Sequence, residues 1–149
     1  MYAAAVEAFP GCDLAIMSAA VADYTPVQTA AEKLKKNPAD GNEGGLTLEL
    51  KKTKDILRKL GELKKEQQVL VGFALETSEG SDYAKGKLVS KNADLVVLNS
   101  LQDAGAGFGG DTNKITIFGK NGEREQFPLR SKQEVANDIL DTIIRFHYA

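Results

Sequence analysis

QVLVGFAL, residues 68–75, is an unbroken apolar and β-branched run. It lacks the polar alternation of a half-solvated strand and so predicts a strand covered on both faces, as in a parallel sheet. On its C-terminal side, the polar bend ETSEGSD (76–82) leads to a helical pattern over 83–92 and then to a second buried run, 94–98, ending at Asn99. On its N-terminal side, Ile56, Leu57, Leu60 and Leu63 recur at helical spacing behind Thr53, which has the chemistry of an N-cap. Further upstream, DLAIMS (13–18) reads as another core strand, and the segment after it ends in Asp23, Tyr24 and Pro26. Strands separated by helices predict a layered α/β domain with a mostly parallel sheet, in which 68–75 is the central strand.

The flanking segments fill in around that unit. MYAAAVEAF (1–9) reads as a helix closed by Pro10-Gly11, and LTLELK (46–51) as a short half-exposed strand. Residues 25–45 mix prolines, glycines and charges without apolar periodicity, which predicts a long loop. KITIFG and REQFPL flank Lys120-Asn121-Gly122, a hairpin signal because Asn-Gly accepts the positive φ of a tight turn, and this hairpin should extend the sheet edge. Ser131-Lys132-Gln133-Glu134 is a capping box ahead of an amphipathic helix carrying Val135, Ile139, Leu140, Ile143 and Ile144.

The chain has 149 residues, 42% of them hydrophobic, and reads as one globular domain, 1–149. Its net charge of −2 gives no overall pull towards nucleic acid or anionic lipid, and no basic groove with interleaved aromatics is present. A single cysteine, Cys12, excludes an internal disulfide, and no apolar stretch approaches a membrane span or a secretory leader. A cytoplasmic location is the expectation. The one histidine, His147, lies near the chain end on the helical row of Leu140 and Ile144, which argues for packing and against a Ser-His-Asp triad.

Sheets of this kind bind ligands beyond the carboxyl ends of their strands. That rule singles out Asp23 after the first strand, Glu76 and Thr77 after the second, and 99–110 after the third. Gly105, Gly107 and Gly110 satisfy G-x-G-x-x-G, but the following DTNKITIFG reads as strand, whereas a dinucleotide fingerprint needs a helix there. Two lysine groups remain: Lys33, Lys35 and Lys36 in the long loop, and Lys87 and Lys91, four apart and so on one helix face.

The ordered set AAVADY (19–24), EKLKK (32–36), KDIL (54–57), VGFALET (71–77), YAKGKLVSKNADLVVLN (83–99) and GFGGDTN (107–113) resembles the phosphopantothenoylcysteine synthetase family, the ligase half of a bifunctional coenzyme A biosynthesis flavoprotein. The resemblance implies a Rossmann-like α/β domain with an added C-terminal hairpin, lacking the family's first strand and glycine-rich turn. It implies a CTP-dependent, Mg²⁺-assisted ligase that converts 4′-phosphopantothenate to an acyl-cytidylate and lets the amine of cysteine displace CMP. FMN belongs to the decarboxylase half, which has no counterpart here. By motif, the resemblance assigns the nucleotide to Ser18, Ala19, Asp23, Lys33, Asp55, Ile56, Leu57, Phe73, Lys87 and Lys91, with Asp23 also near the metal and Lys33 as the catalytic flap lysine. Lys54 stands where the family has a proline. The resemblance further implies a homodimer, a flap over 25–45 that closes on nucleotide, and a chain that is a C-terminal fragment with weak turnover alone. The rival reading is a non-catalytic nucleotide-binding or assembly module, which has little use for a lysine-bearing flap.

Overall fold

The computed structural model describes residues 1–33, 46–76, 80–100 and 110–148. In chain order the elements are α1 (Tyr2–Ala8), a 3-10 turn (Phe9–Gly11), β1 (Leu14–Met17), β2 (Tyr24–Pro26), β3 (Leu50–Lys52), α2 (Ile56–Leu63) and β4 (Val69–Glu76). There follow α3 (Gly80–Lys91), β5 (Leu95–Ser100), β6 (Thr112–Asn113), β7 (Ile115–Gly119), β8 (Arg124–Gln126), β9 (Arg130–Ser131) and α4 (Lys132–His147). They group into two compact units, Met1–Ala19 with Ile56–Ala149, and Ala20–Asp55.

The larger unit is built on a five-stranded sheet of order β1-β4-β5-β7-β8. β1, β4 and β5 run parallel, and β7 and β8 return antiparallel. The apolar run of 68–75 is therefore an interior strand flanked on both sides, as its pattern demands, although the middle place falls to β5. Alternation along the strands separates two faces. Val69, Val71, Leu95, Val97, Ile115 and Ile117 pack against Val135, Ile139 and Ile143 of α4. On the other face, Ala74 and Val96 meet Ala84 and Leu88 of α3, while Leu70 meets Phe9, Ile56, Leu57 and Leu60. The hairpin forms as its Asn-Gly turn predicts: Gly122 takes φ of 96° and its N–H donates to the Gly119 carbonyl. The capping box is present, with Ser131 accepting from the Glu134 N–H and Glu134 accepting from the Ser131 N–H. β6 and β9 form a two-stranded patch beside the start of α4.

At the amino ends of the parallel strands lies a buried carboxylate. Asp94, 1% exposed, accepts from Lys64 Nζ at 2.8 Å, Lys120 Nζ at 2.6 Å and the Leu70 N–H at 2.8 Å. Burial alone would raise its pKa, but the hydrogen bonds from Lys120, Lys64 and Leu70 outweigh burial and hold the carboxyl below its ordinary range. Burial also lowers the pKa of His147, countered in part by the charge of Asp94.

The smaller unit contains an antiparallel ribbon, pairing Tyr24 with Lys52, Thr25 with Lys51 and Pro26 with Leu50. It revises three local expectations. The loop expected from residue 25 gives up its first residues to β2, and Val27 still donates to the Glu49 carbonyl. The strand expected over 46–51 shrinks to Leu50–Lys52, with Leu46, Leu48 and Leu50 all exposed, because a two-stranded ribbon offers its side chains no second layer. Thr53 does not cap α2: its N–H and hydroxyl prolong the ribbon by bonding the Asp23 and Ala22 carbonyls, and the helix begins three residues later. In the larger unit, α3 begins at Gly80 rather than 83, since Gly, Ser and Asp are tolerated in a first turn though poor in helix interiors.

Candidate functional site

Parallel pairing brings the carboxyl ends of β4 and β5 side by side, with Leu75 opposite Asn99 and Glu76 opposite Ser100. β1 stops earlier, at Met17 opposite Gly72. Among the described residues, β4 therefore continues from Phe73 onward without a strand partner on its β1 side. Ser18 and Ala19 leave β1 at this level, and both are exposed.

α3 starts near this rim and descends away from it. Side chains on a helix lean towards its N-terminus, so Lys87 reaches back up α3 and its Nζ donates to the Phe73 carbonyl at 2.7 Å. The same ammonium lies 6.0 Å from the centroid of the Tyr83 ring, one turn earlier on the same face. The Phe73 side chain points to the other face, where it packs partly buried against the α4 layer. Two residues that sequence reading assigned to one site are thus joined by a hydrogen bond, through the strand's backbone rather than the aromatic ring. At the end of β5, Asn99 accepts from the Asn113 amide at 3.0 Å, which ties this rim to β6.

The remaining assignments fall in different places. Ile56 and Leu57 are core side chains, so any ligand contact there falls to the backbone. A Cβ on Gly72 would stand 2.5 Å from Leu57 Cδ2, so glycine is what lets α2 settle on β4. Lys91 closes α3 about 6 Å further along the axis than Lys87, and its carbonyl faces Gly61 of α2 at the amino-end rim. Asp23, Lys33 and Asp55 belong to the smaller unit, where all three are exposed. Lys35, Lys36, Thr77, Gly105 and Gly107 lie outside the described residues. From Gly110 the chain passes into β6 and β7 and not into a helix, as expected from the refusal of the dinucleotide fingerprint.

Sequence reading passed over Tyr83 and Asn113. Both stand within the quoted motifs, and the signal for Tyr83 was its i,i+4 spacing to Lys87. Among the described residues, no group of three or more His, Cys, Asp or Glu side chains gathers to hold a metal ion. Asp23 offers one carboxylate, which suits an ion carried in by a polyphosphate, since Mg²⁺ commonly takes one or two carboxylates plus substrate phosphates. No helix of the described residues is long and apolar enough to cross a membrane.

Three layers around a mostly parallel sheet define a Rossmann-like α/β protein. Residues 1–146 match the family described as "DNA/pantothenate metabolism flavoprotein C-terminal domain", and the chain belongs to that family. It is 48% identical over 143 residues to the coenzyme A biosynthesis bifunctional protein CoaBC of Bacillus subtilis (strain 168), covering 96% of this chain and 34% of the relative. It is 49% identical over 144 residues to a protein of an unknown prokaryotic organism named cysteine/cysteine sulfinic acid decarboxylase, covering 97% of this chain and 39% of the relative. Among solved structures, the C-terminal domain of a CoaBC protein superposes with a TM-score of 0.72 at 37% identity, covering 95% of this chain and 58% of that one. The chain thus spans little more than a third of the length of the curated relatives it matches.

Proposed function

We propose that this chain carries the CTP-binding part of a ligase that joins 4′-phosphopantothenate to cysteine in coenzyme A biosynthesis. The observation that carries the reading is the Lys87 ammonium, held on the Phe73 carbonyl one residue beyond the level at which β1 ends, in a chain of this family. In the proposed reaction a substrate carboxylate oxygen attacks the α-phosphorus of CTP, and the bond to the pyrophosphate oxygen breaks. The cysteine amine then attacks the acyl carbon, CMP leaves and the amine loses a proton. Both partners of the first step are anions, so the protein's task is to position them and offset their charge. Lys87 meets the polyphosphate; Lys91, assigned with it by motif, closes α3 about 6 Å further from that level. Ser18, Ala19 and the backbone at Phe73, Ile56 and Leu57 line the nucleotide in the larger unit, and Asp23 and Asp55 are assigned to it by motif alone, Asp23 with the Mg²⁺ that arrives with CTP. Lys33 acts on the acyl-cytidylate. A cytoplasmic homodimer is part of the same proposal.

Calorimetry with CTP, ATP and Mg²⁺ on the chain tests the proposal. CTP should bind in preference to ATP, and Lys87→Ala should weaken it about tenfold, the effect of one lost charge-assisted hydrogen bond. Equal affinity in wild type and Lys87→Ala removes Lys87 from the site, and absence of CTP binding removes the proposal. In a full-length synthetase, Lys33→Ala should keep CTP binding and lose ligation; unchanged turnover sinks the flap assignment.

A further inference from the structure

We infer that Tyr83 is a positioning residue for nucleotide binding: its ring, together with the Phe73 carbonyl, forms a resting cradle that keeps the Lys87 ammonium just beyond the carboxyl end of β1. The inference rests on the proposed CTP site, and it adds a residue which neither the motif nor the fold assigns a task.

Three features of the geometry carry it. Tyr83 and Lys87 are four residues apart on α3, so their side chains stand one above the other on one face. The ammonium lies 6.0 Å from the ring centroid, within the range at which a cation is drawn to an aromatic face, while its proton is given to the Phe73 carbonyl at 2.7 Å. Tyr83 is 54% exposed, more than folding of α3 requires of a large aromatic; the helix is secured instead by Ala84 and Leu88.

A lysine stem samples many rotamers in solution, and a ligand that had to order it from scratch would bind less well. The cradle orders it beforehand. When a triphosphate arrives, the ammonium exchanges one acceptor for another, carbonyl oxygen for phosphate oxygen, while the ring stays beneath it. The released Phe73 carbonyl then faces the ligand as an acceptor for a hydroxyl or amino group.

The test uses Tyr83→Leu and Tyr83→Phe in the 149-residue chain. Leucine is a good helix former at an exposed helical position, so the fold should persist, and phenylalanine keeps the aromatic face. Without nucleotide, the Lys87 ε-methylene protons, assigned by their absence in Lys87→Arg, should show an upfield ring-current shift in wild type and Tyr83→Phe that disappears in Tyr83→Leu. With Mg²⁺ and CTP, Tyr83→Leu should bind about three- to fivefold more weakly, the size of an exposed cation–π contact, and Tyr83→Phe should match wild type. An ε-methylene shift that survives Tyr83→Leu, or a CTP affinity that Tyr83→Leu leaves unchanged, overturns the inference. If wild type binds no CTP, the function proposal and the hand-over to phosphate both fall, and the ring-current shift still decides whether the cradle exists.

Discussion

Gly61 shows how much one hydrogen atom in place of a methyl can decide. A Cβ there would stand 1.8 Å from the Lys91 carbonyl oxygen and 3.2 Å from the Asn92 Cβ. The close approach lets the Asn92 amide donate to the Gly61 carbonyl at 2.8 Å, and Asn92 adopts φ of 50°, a left-handed conformation that asparagine tolerates better than most non-glycine residues. The obstacle is backbone rather than a flexible side chain, so α2 and α3 must separate to admit a methyl. Gly61→Ala should cost about 1–3 kcal/mol in urea unfolding, as overpacking does. A neutral substitution would mean that the two helices do not meet there. Helical periodicity cannot flag this glycine, because the atom it avoids lies 30 positions away.

At the level of elements, the cap of α4 is local and was legible in the letters Ser131 to Glu134. Ser131 Oγ accepts from the Glu134 N–H at 3.3 Å, and Glu134 Oε2 accepts from the Ser131 N–H at 2.9 Å. Ser131→Ala should lower stability by about 1 kcal/mol, read as a shift in the urea midpoint with unchanged slope. A change of slope instead would place the effect in the unfolded chain. The hairpin from Ile115 to Gln126 was equally legible, since its turn chemistry needs nothing beyond its own residues. The ribbon of the smaller unit was not: Thr53 looks like a helix cap until the Ala22 carbonyl, 31 residues earlier, claims its hydroxyl at 2.7 Å. The same letter serves either purpose, and a distant acceptor chooses.

Across the whole molecule, the charge cluster around Asp94 links α2, β4, β5 and the hairpin, through Lys64, Leu70 and Lys120. Removing the carboxylate would leave the Lys64 ammonium, 8% exposed, without its compensating charge. Asp94→Asn should therefore cost about 3–5 kcal/mol, measured by denaturant unfolding at neutral pH. The pH dependence has one sign. His147 has a pKa depressed below the ordinary 6.5, chiefly by burial, so the unfolded chain takes its proton first, and stability declines as pH falls from about 6.5 towards the lower folded value. Asp94 has a pKa held below the ordinary 3.8 despite burial, so its contribution persists through that range and is lost only as pH falls below 3.8 through the folded value. The urea midpoint should decline modestly near pH 6 and steeply in strong acid, and His147→Gln should remove the first decline alone. A midpoint that rises between pH 7 and 5 would contradict this assignment.

The sequence by itself determined the strand-helix alternation, both faces of the central run, the hairpin and the capped last helix, because each is written in spacings of two to four residues whose physics is local. The family was legible too, in motifs that kept their order along the chain. Only the tertiary structure decided that Lys87 meets the backbone of Phe73 rather than its ring, that the Tyr83 ring lies within reach of that ammonium, and that Asp94 is a buried hub. Those contacts join segments 14 to 30 residues apart or depend on how far a side chain leans along its helix. No window of sequence holds both partners and the distance between them.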